Sequence, residues 1–189
     1  MSLVSRVQNI LMSPQSEWPV IAGEGASVGS LYSGYIIPLA AIPPIASLIS
    51  FAFLLGLGLM YGIVWAVVSY ALALVGCYII AFIAAKLAPS FGGRDDLVQG
   101  LKLTAYSYTA GWVGGIFTLI PIAGGIIALV AAIYGLYLLY LGASPVMGVP
   151  KDKSIVYTIV LIVVAVVVTG IIGAVVAMIV GIAAVGAMH

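Results

Sequence analysis

Residues 155–186 read IVYTIVLIVVAVVVTGIIGAVVAMIVGIAAVG and contain no Asp, Glu, Lys or Arg. A helix needs about 20 apolar residues to cross the hydrocarbon core of a bilayer, and this stretch exceeds that length. Its side chains are nearly all β-branched or small, with few polar groups for water to solvate. The stretch therefore predicts a long membrane-spanning helix.

The composition extends this prediction to the whole chain. Of the 189 residues, 65% are hydrophobic and 6% are charged, and the mean hydropathy is +1.34. Soluble domains have about 25% charged residues, so this chain could not cover a surface that faces water. We predict an all-α integral membrane protein whose first partner is the lipid bilayer. The net charge of +1 and the lack of a basic stripe argue against nucleic acid as a partner.

The charged residues divide the chain into apolar segments. They fall in three groups, at 6–24, 86–102 and 151–153. The intervals between and after these groups have room for two, two and one crossings, with Gly and Pro marking the turns. The prediction is a five-helix bundle with spans at about 31–55, 62–87, 102–120, 123–142 and 155–185.

This count of spans places every charged residue on one side of the membrane. Short loops rich in Lys and Arg stay in the cytoplasm. We therefore expect the N-terminus in the cytoplasm and the C-terminus outside. The outer face would then carry two short uncharged turns, at 56–61 and 121–122.

Residues 1–30 form a more polar segment in front of the membrane domain of residues 31–189. The apolar residues of 3–11 share one face of a helix, which predicts a short amphipathic helix on the cytoplasmic surface. Trp18 suits the depth of the lipid headgroups. The stretch 13–25 is then a hinge between this surface helix and the first span.

Five acidic residues fall on the predicted cytoplasmic side. We expect Glu17 and Glu24 to pair with one of the basic residues Arg94, Lys102, Lys151 or Lys153. We expect the loop acids to be solvated, with exposed pairs such as Arg94–Asp96. One alternative is that the five acids bind a hard cation through oxygen ligands: Glu17, Glu24, Asp95, Asp96 and Asp152. The other is that Glu17 and Glu24 form the mouth of a pore together with Asp95 and Asp96.

The first span contains Pro38, Pro43 and Pro44. Proline removes an amide donor and bends a helix, so neighbouring helices or side chains must satisfy the freed carbonyls. We expect a kink that shapes the packing of the bundle. Broken helices of this kind also occur at transporter sites.

The third span, KLTAYSYTAGWVGGIFT at 102–118, is the most polar. Gly111 and Gly115 form a GxxxG pair with Gly114 between them, which favours close packing against another helix, in this chain or in a second one. Its candidate polar or binding residues are Thr104, Tyr106, Ser107 and Tyr108.

Tyrosines recur every three residues near the end of the fourth span, at Tyr134, Tyr137 and Tyr140. Tyr140 suits the aromatic belt at the cytoplasmic interface. Tyr134 lies deeper, so its hydroxyl needs a buried partner. We expect Thr104 or Ser107 to provide it.

No motif for catalysis or for a cofactor is present. The chain has no HExxH, GxSxG, Walker loop or CxxC, and its single His is terminal. We therefore predict a protein that is not an enzyme and has no cofactor or bound metal. No Asp, Glu, Lys or Arg lies in the middle of a predicted span, which argues against an ion-coupled carrier.

Four stretches together resemble the bacterial branch of the Yip-domain family, relatives of the eukaryotic Ypt/Rab-interacting membrane proteins. The resemblance implies five spans, a cytoplasmic N-terminus and a location in the bacterial inner membrane. It also implies association between helices of one or more chains. The stretches are NILMSPQSEWPVIAGE at 9–24, SLYSGYIIPLAAIP at 30–43, GGRDDLVQGLKLTAYSYTAGW at 92–112 and IYGLYLLYLGASPVMGVPKDKSIVYT at 133–158.

This chain differs from the eukaryotic members in two respects. They have a long cytoplasmic N-terminal region that binds partners such as prenylated Rab GTPases, whereas about 30 residues precede the first span here. Ala110 also follows YSYT where a proline is expected. The resemblance thus implies a fold and a topology more directly than a trafficking activity.

Two functions remain open from the sequence. The first is a membrane protein that associates with itself or with a partner protein and organises the membrane or a membrane complex. The alternative is a small channel or transporter for an ion or a small molecule. Its polar path would lie between spans one, three and four, with an acidic cytoplasmic mouth.

Overall fold

The computed structural model describes residues 1–55, 58–120 and 123–186. Within these ranges the chain forms helices and no strands, which confirms the all-α prediction. Short π- and 3-10 turns connect or extend some of the helices. The α-helices are α1 Leu3–Met12, α2 Pro14–Gly23, α3 Val28–Leu31, α4 Ile37–Ala40, α5 Ile42–Ile49, α6 Leu59–Leu87, α7 Leu97–Gly114, α8 Ala123–Met147 and α9 Lys151–Gly186.

Four helical stretches of the described chain are long and apolar enough to cross a membrane. They coincide with the first, second, fourth and fifth predicted spans. We call the first of them, which contains α3, α4 and α5, the first membrane helix. The four stretches are Val28–Ala52, Leu59–Phe91, Ala123–Met147 and Lys151–Ile182.

The third predicted span, 102–120, corresponds to α7 and the 3-10 turn Gly115–Leu119 that follows it. Most of the 18 residues of α7 are buried. By contrast, 11% of the residues in the most apolar part of Lys151–Ile182 are buried. Neighbouring helices rather than lipid surround α7, so it can carry polar side chains without exposing them to hydrocarbon. The count of five crossings stays a prediction.

The first membrane helix is interrupted where its prolines lie. A π-turn, Tyr32–Ile36, precedes α4, and Pro38 stands in the first turn of α4. Pro43 and Pro44 stand in the first turn of α5. The first amides of a helix have no partner within that helix, so a proline there sacrifices no hydrogen bond.

α7 packs against α6, α8 and the first membrane helix. Gly114, the last residue of α7, and Gly115, the first residue of the 3-10 turn, permit close approach at this end. A Cβ on Gly114 would lie 2.6 Å from Ala131 Cβ on α8, and one on Gly115 would lie 2.6 Å from Pro43 Cγ. A Cβ on Gly111 would meet no atom within 4 Å. Other residues of the chain therefore fill the space beside Gly114 and Gly115, whereas the space beside Gly111 is empty.

The two N-terminal helices form a hairpin that packs on α7 and α8. Ser13 separates them, and Pro14 begins α2. The side chain of Ser2 caps α1 by accepting a hydrogen bond from the Ser5 amide at 3.1 Å. α1 includes the predicted amphipathic segment, and its depth relative to the bilayer stays a prediction.

Two loops meet at the end of the bundle where the charged residues lie. The Arg94 amide donates to the Met147 carbonyl at 2.9 Å, which joins the loop after α6 to the end of α8. Gly148 has a φ of +71°, a left-handed conformation that favours glycine. The predicted outer turns at 56–61 and 121–122 lie partly or wholly outside the described residues.

Candidate functional site

A group of three charged side chains, two of them buried, joins the two N-terminal helices. The Arg6 guanidinium on α1 donates to the carboxylates of Glu17 on α2 and of Glu24 at the end of α2. Arg6 and Glu17 are each 5% exposed, and Asn9 Nδ2 donates to Glu17 Oε2 at 3.2 Å. A buried charge needs both an opposite charge and hydrogen bonds. We call Arg6, Glu17 and Glu24 the N-terminal ion cluster.

Local helix structure positions the cluster. The break at Ser13 turns the chain back, so α2 runs beside α1. Glu17 lies in the first turn of α2, where the helix dipole favours a negative charge. Burial lowers the pKa of Arg6, but the hydrogen bond and charge of Glu24, with smaller contributions from Tyr106 and Glu17, outweigh it and hold that pKa above its ordinary value. The guanidinium therefore stays charged.

Polar side chains of α7 bind the other end of α2. Lys102 is 2% exposed, and its Nζ donates to the carbonyls of Ile21 at 2.9 Å and Glu24 at 2.5 Å. Gln99 Nε2 donates to the Ala22 carbonyl at 3.3 Å. The last carbonyls of a helix lack partners within it, and a cation is favourable there. Lys102 and Gln99 thus cap α2 from a neighbouring helix.

An aromatic layer lies beneath the cluster. Tyr106 of α7 contacts Tyr35 of the first membrane helix, with ring centroids 4.4 Å apart, and Trp18 at 6.3 Å with an edge-on geometry. The Arg6 guanidinium lies 5.8 Å from the centroid of the Tyr106 ring, within the range of a cation–π interaction. Tyr35 and Thr109 share a hydrogen bond of 2.6 Å. This layer joins the hairpin, α7 and the first membrane helix.

The expected partners of Glu17 and Glu24 were wrong. The side chains of both residues pair with Arg6, and Lys102 binds the backbone of Glu24 instead of its carboxylate. A sequence signal for this pairing existed, because these three residues are the only charged ones among residues 1–30. What was missing was the turn at Ser13 that brings the two helices together.

The expected partner of Tyr134 was also wrong. Its hydroxyl donates to the carbonyl of Leu11, near the end of α1, at 2.7 Å, instead of meeting Thr104 or Ser107. Tyr137 is 42% exposed, and its ring lies 5.8 Å from that of Tyr134. Tyr134 therefore provides a second attachment of the hairpin to the bundle.

The loop acids have separate structural roles. Lys86 Nζ donates to Asp95 Oδ2 at 2.6 Å in an exposed pair, where Arg94–Asp96 was the expected example. Asp96 caps α7 by accepting from the Val98 amide at 2.9 Å and the Gln99 amide at 3.1 Å. In the part of the chain that the structure describes, no three His, Cys, Asp or Glu side chains converge as metal ligands do.

A cavity of about 510 Å³ lies among α6, α7, α8 and α9. Thr104, Ser107 and Tyr108 line it, together with mostly apolar side chains. The hypothetical polar path was placed between spans one, three and four. The structure instead turns these three residues towards the second, fourth and fifth predicted spans, and Tyr106 belongs to the aromatic layer. The α6 and α9 walls of this cavity had no signal in the sequence beyond their hydrophobicity.

Comparisons with known proteins agree with the fold. The sequence profile of the Yip1 domain matches residues 9–172. Inner membrane protein YohC of Escherichia coli strain K12 is 24% identical over 166 residues, which cover 82% of this chain and 85% of that protein. The protein of the same name from Escherichia coli O6:H1 is similar to the same extent. No solved structure matches this chain significantly. The profile covers most of the chain, including the last turn of α1 and all of α2 and α7, and the chain therefore belongs to the Yip1 domain family.

Proposed function

We propose that this chain is a non-enzymatic, multi-pass protein of the bacterial inner membrane that associates with itself or with a partner and thereby organises the membrane or a membrane complex. The location rests on the relatives described as inner membrane proteins and on four helices of membrane length. The general activity rests on membership of the Yip1 domain family. The position of the association surface rests on the geometry of α9.

The proposed topology has five crossings, with α7 as the third. It divides the chain into an N-terminal interfacial segment of residues 1–30 and a membrane domain of residues 31–189. All charged residues lie in the N-terminal segment or at one end of the bundle, which supports a cytoplasmic N-terminus. A C-terminal alkaline phosphatase fusion should then be active in intact cells, and a C-terminal fluorescent protein fusion should stay dark. The opposite pair of results would refute this orientation.

The exposed face of α9 carries the proposal of self-association. Gly170, Gly173, Ala177 and Gly181 lie within about 100° of one another around the helix axis. All four are exposed, and a Cβ on any of the three glycines would meet no atom within 4 Å. Small residues on a lipid-facing surface let a second helix approach closely. Gly114 and Gly115, at the end of α7, serve this purpose less well, because other residues of the same chain already occupy the space beside them.

Oligomer mass in nanodiscs tests this surface. We expect wild type to contain more than one chain, and Gly173→Leu to shift the population towards the monomer. Ile171→Leu is the matched control, because Ile171 is 60% exposed at a similar depth but lies off the glycine face. A monomeric wild type, or an unchanged mass for Gly173→Leu, would contradict self-association through α9.

A further inference from the structure

The cavity among α6–α9 has a deep wall and a mouth. Cys77, Thr104 and Ser107 form part of the deep wall and are buried. The mouth lies between α8 and α9, where the lining residues Leu136 and Val166 are 41% and 66% exposed. Both helices have the length and hydrophobicity of membrane spans, so this mouth faces lipid rather than water.

The chemistry of the lining favours a hydrocarbon occupant. The side chains that the structure describes along the cavity include none with a charge. A hydrated ion or sugar would lose its water there without gaining enough hydrogen bonds in return. A lipid chain, by contrast, can enter through the mouth directly from the bilayer. The volume of about 510 Å³ is within the range of about 300–1,000 Å³ that ligand sites occupy.

Ser107 adds a polar contact to this apolar cavity. It is 2% exposed, and its Oγ has no hydrogen-bond partner in the described part of the chain. The neighbouring Thr104 satisfies its hydroxyl by donating to the Gly100 carbonyl at 3.0 Å. Buried hydroxyls without a partner are rare and unfavourable. An acceptor on a ligand in the cavity would satisfy Ser107.

We propose that the cavity binds one acyl chain of a bilayer glycerophospholipid, which enters between α8 and α9 and accepts a hydrogen bond from Ser107 through its ester carbonyl. Ser107 lies ten residues beyond the start of α7, which is about 15 Å along the helix axis. Together, α7 and the 3-10 turn after it run from Leu97 to Leu119, so the hydroxyl lies just within the half of this stretch that begins at the charged end. The ester group of the bound lipid can therefore reach the cavity wall at Ser107. The headgroup of the same lipid stays at the charged end of the bundle.

Photocrosslinking with a phosphatidylglycerol that carries a diazirine in one acyl chain tests the site in the full-length protein. We expect crosslinks to map to lining residues such as Leu136 and Ile162. Gly111→Leu places a side chain in the open space of the cavity and should reduce these crosslinks about tenfold. Gly125→Leu is the control, because Gly125 is also helical with no atom within 4 Å of its Cβ position but does not line the cavity.

The hydrogen bond to Ser107 is tested by competition between ester-linked and ether-linked phosphatidylglycerol. The ether lipid lacks the carbonyl, so we expect wild type to prefer the ester lipid by about three- to tenfold. Ser107→Ala should bind the two lipids equally. Crosslinks spread evenly over the outward faces, or crosslinks that persist in Gly111→Leu, would overturn the site. An ester preference that survives in Ser107→Ala would overturn the role of Ser107.

Discussion

Replacing Arg6 by Met should release the N-terminal hairpin, because it removes the positive charge of the N-terminal ion cluster while keeping most of the side-chain volume. The side chain of Glu17 is 7% exposed and would stay buried without its partner. That of Glu24 is 42% exposed and can be solvated. Breaking a buried ion pair costs about 3–5 kcal/mol, whereas an exposed pair contributes about 0–1 kcal/mol. Nearly all of the loss should therefore come from Glu17.

Amide hydrogen exchange in nanodiscs measures this effect locally. The amides of α1 and α2 exchange when the hairpin opens, and those of α9 report on the rest of the bundle. A loss of about 3 kcal/mol corresponds to exchange about 100-fold faster in the hairpin. Glu24→Gln should raise the exchange rate of the hairpin amides less than tenfold.

A double variant separates the buried charge from the lost contact. In Arg6→Met/Glu17→Gln no carboxylate is buried unpaired at position 17, so the hairpin should recover part of the protection lost in Arg6→Met. Two results would refute this reasoning. One is an Arg6→Met variant that exchanges like wild type, and the other is a Glu24→Gln variant that exchanges as fast as Arg6→Met.

Three further predictions follow from other contacts. Gly142→Ala should destabilise the docked hairpin by about 1–3 kcal/mol, because the new Cβ would lie 2.7 Å from Leu103 Cδ1 and 2.8 Å from Trp18 Cζ2. Thermal unfolding measures this loss, with Gly125→Ala as the control. Equal melting temperatures for the two variants would contradict the prediction. Asp96→Ala should cost about 0.5–2 kcal/mol through loss of the α7 cap, and Asp95→Ala about 0–1 kcal/mol. An Asp96→Ala variant as stable as wild type would show that the cap does not stabilise α7. The polar path of the alternative channel or transporter also stays a prediction, and flux into liposomes that contain the protein tests it. Selective flux that Asp95→Ala/Asp96→Ala blocks would support that path, and the apolar lining of the cavity leads us to expect no flux.

The sequence by itself determined that this is a membrane protein, where its long helices lie and which family it belongs to. Hydrophobicity and helix length are local properties, so the stretch at 155–186 predicted its helix without any knowledge of the rest. The motifs at 92–112 and 133–158 were likewise readable in the linear chain.

The tertiary structure decided which residues meet. Arg6 reaches Glu17 because α2 folds back at Ser13, and Tyr134 reaches Leu11 because the same hairpin packs against α8. The polarity of α7 marked it as unusual, but only the packing of its neighbours buries it and turns Ser107 towards a cavity. Partner choice depends on the rotation and depth of each helix relative to the others, and neither can be obtained from residue spacing within one helix.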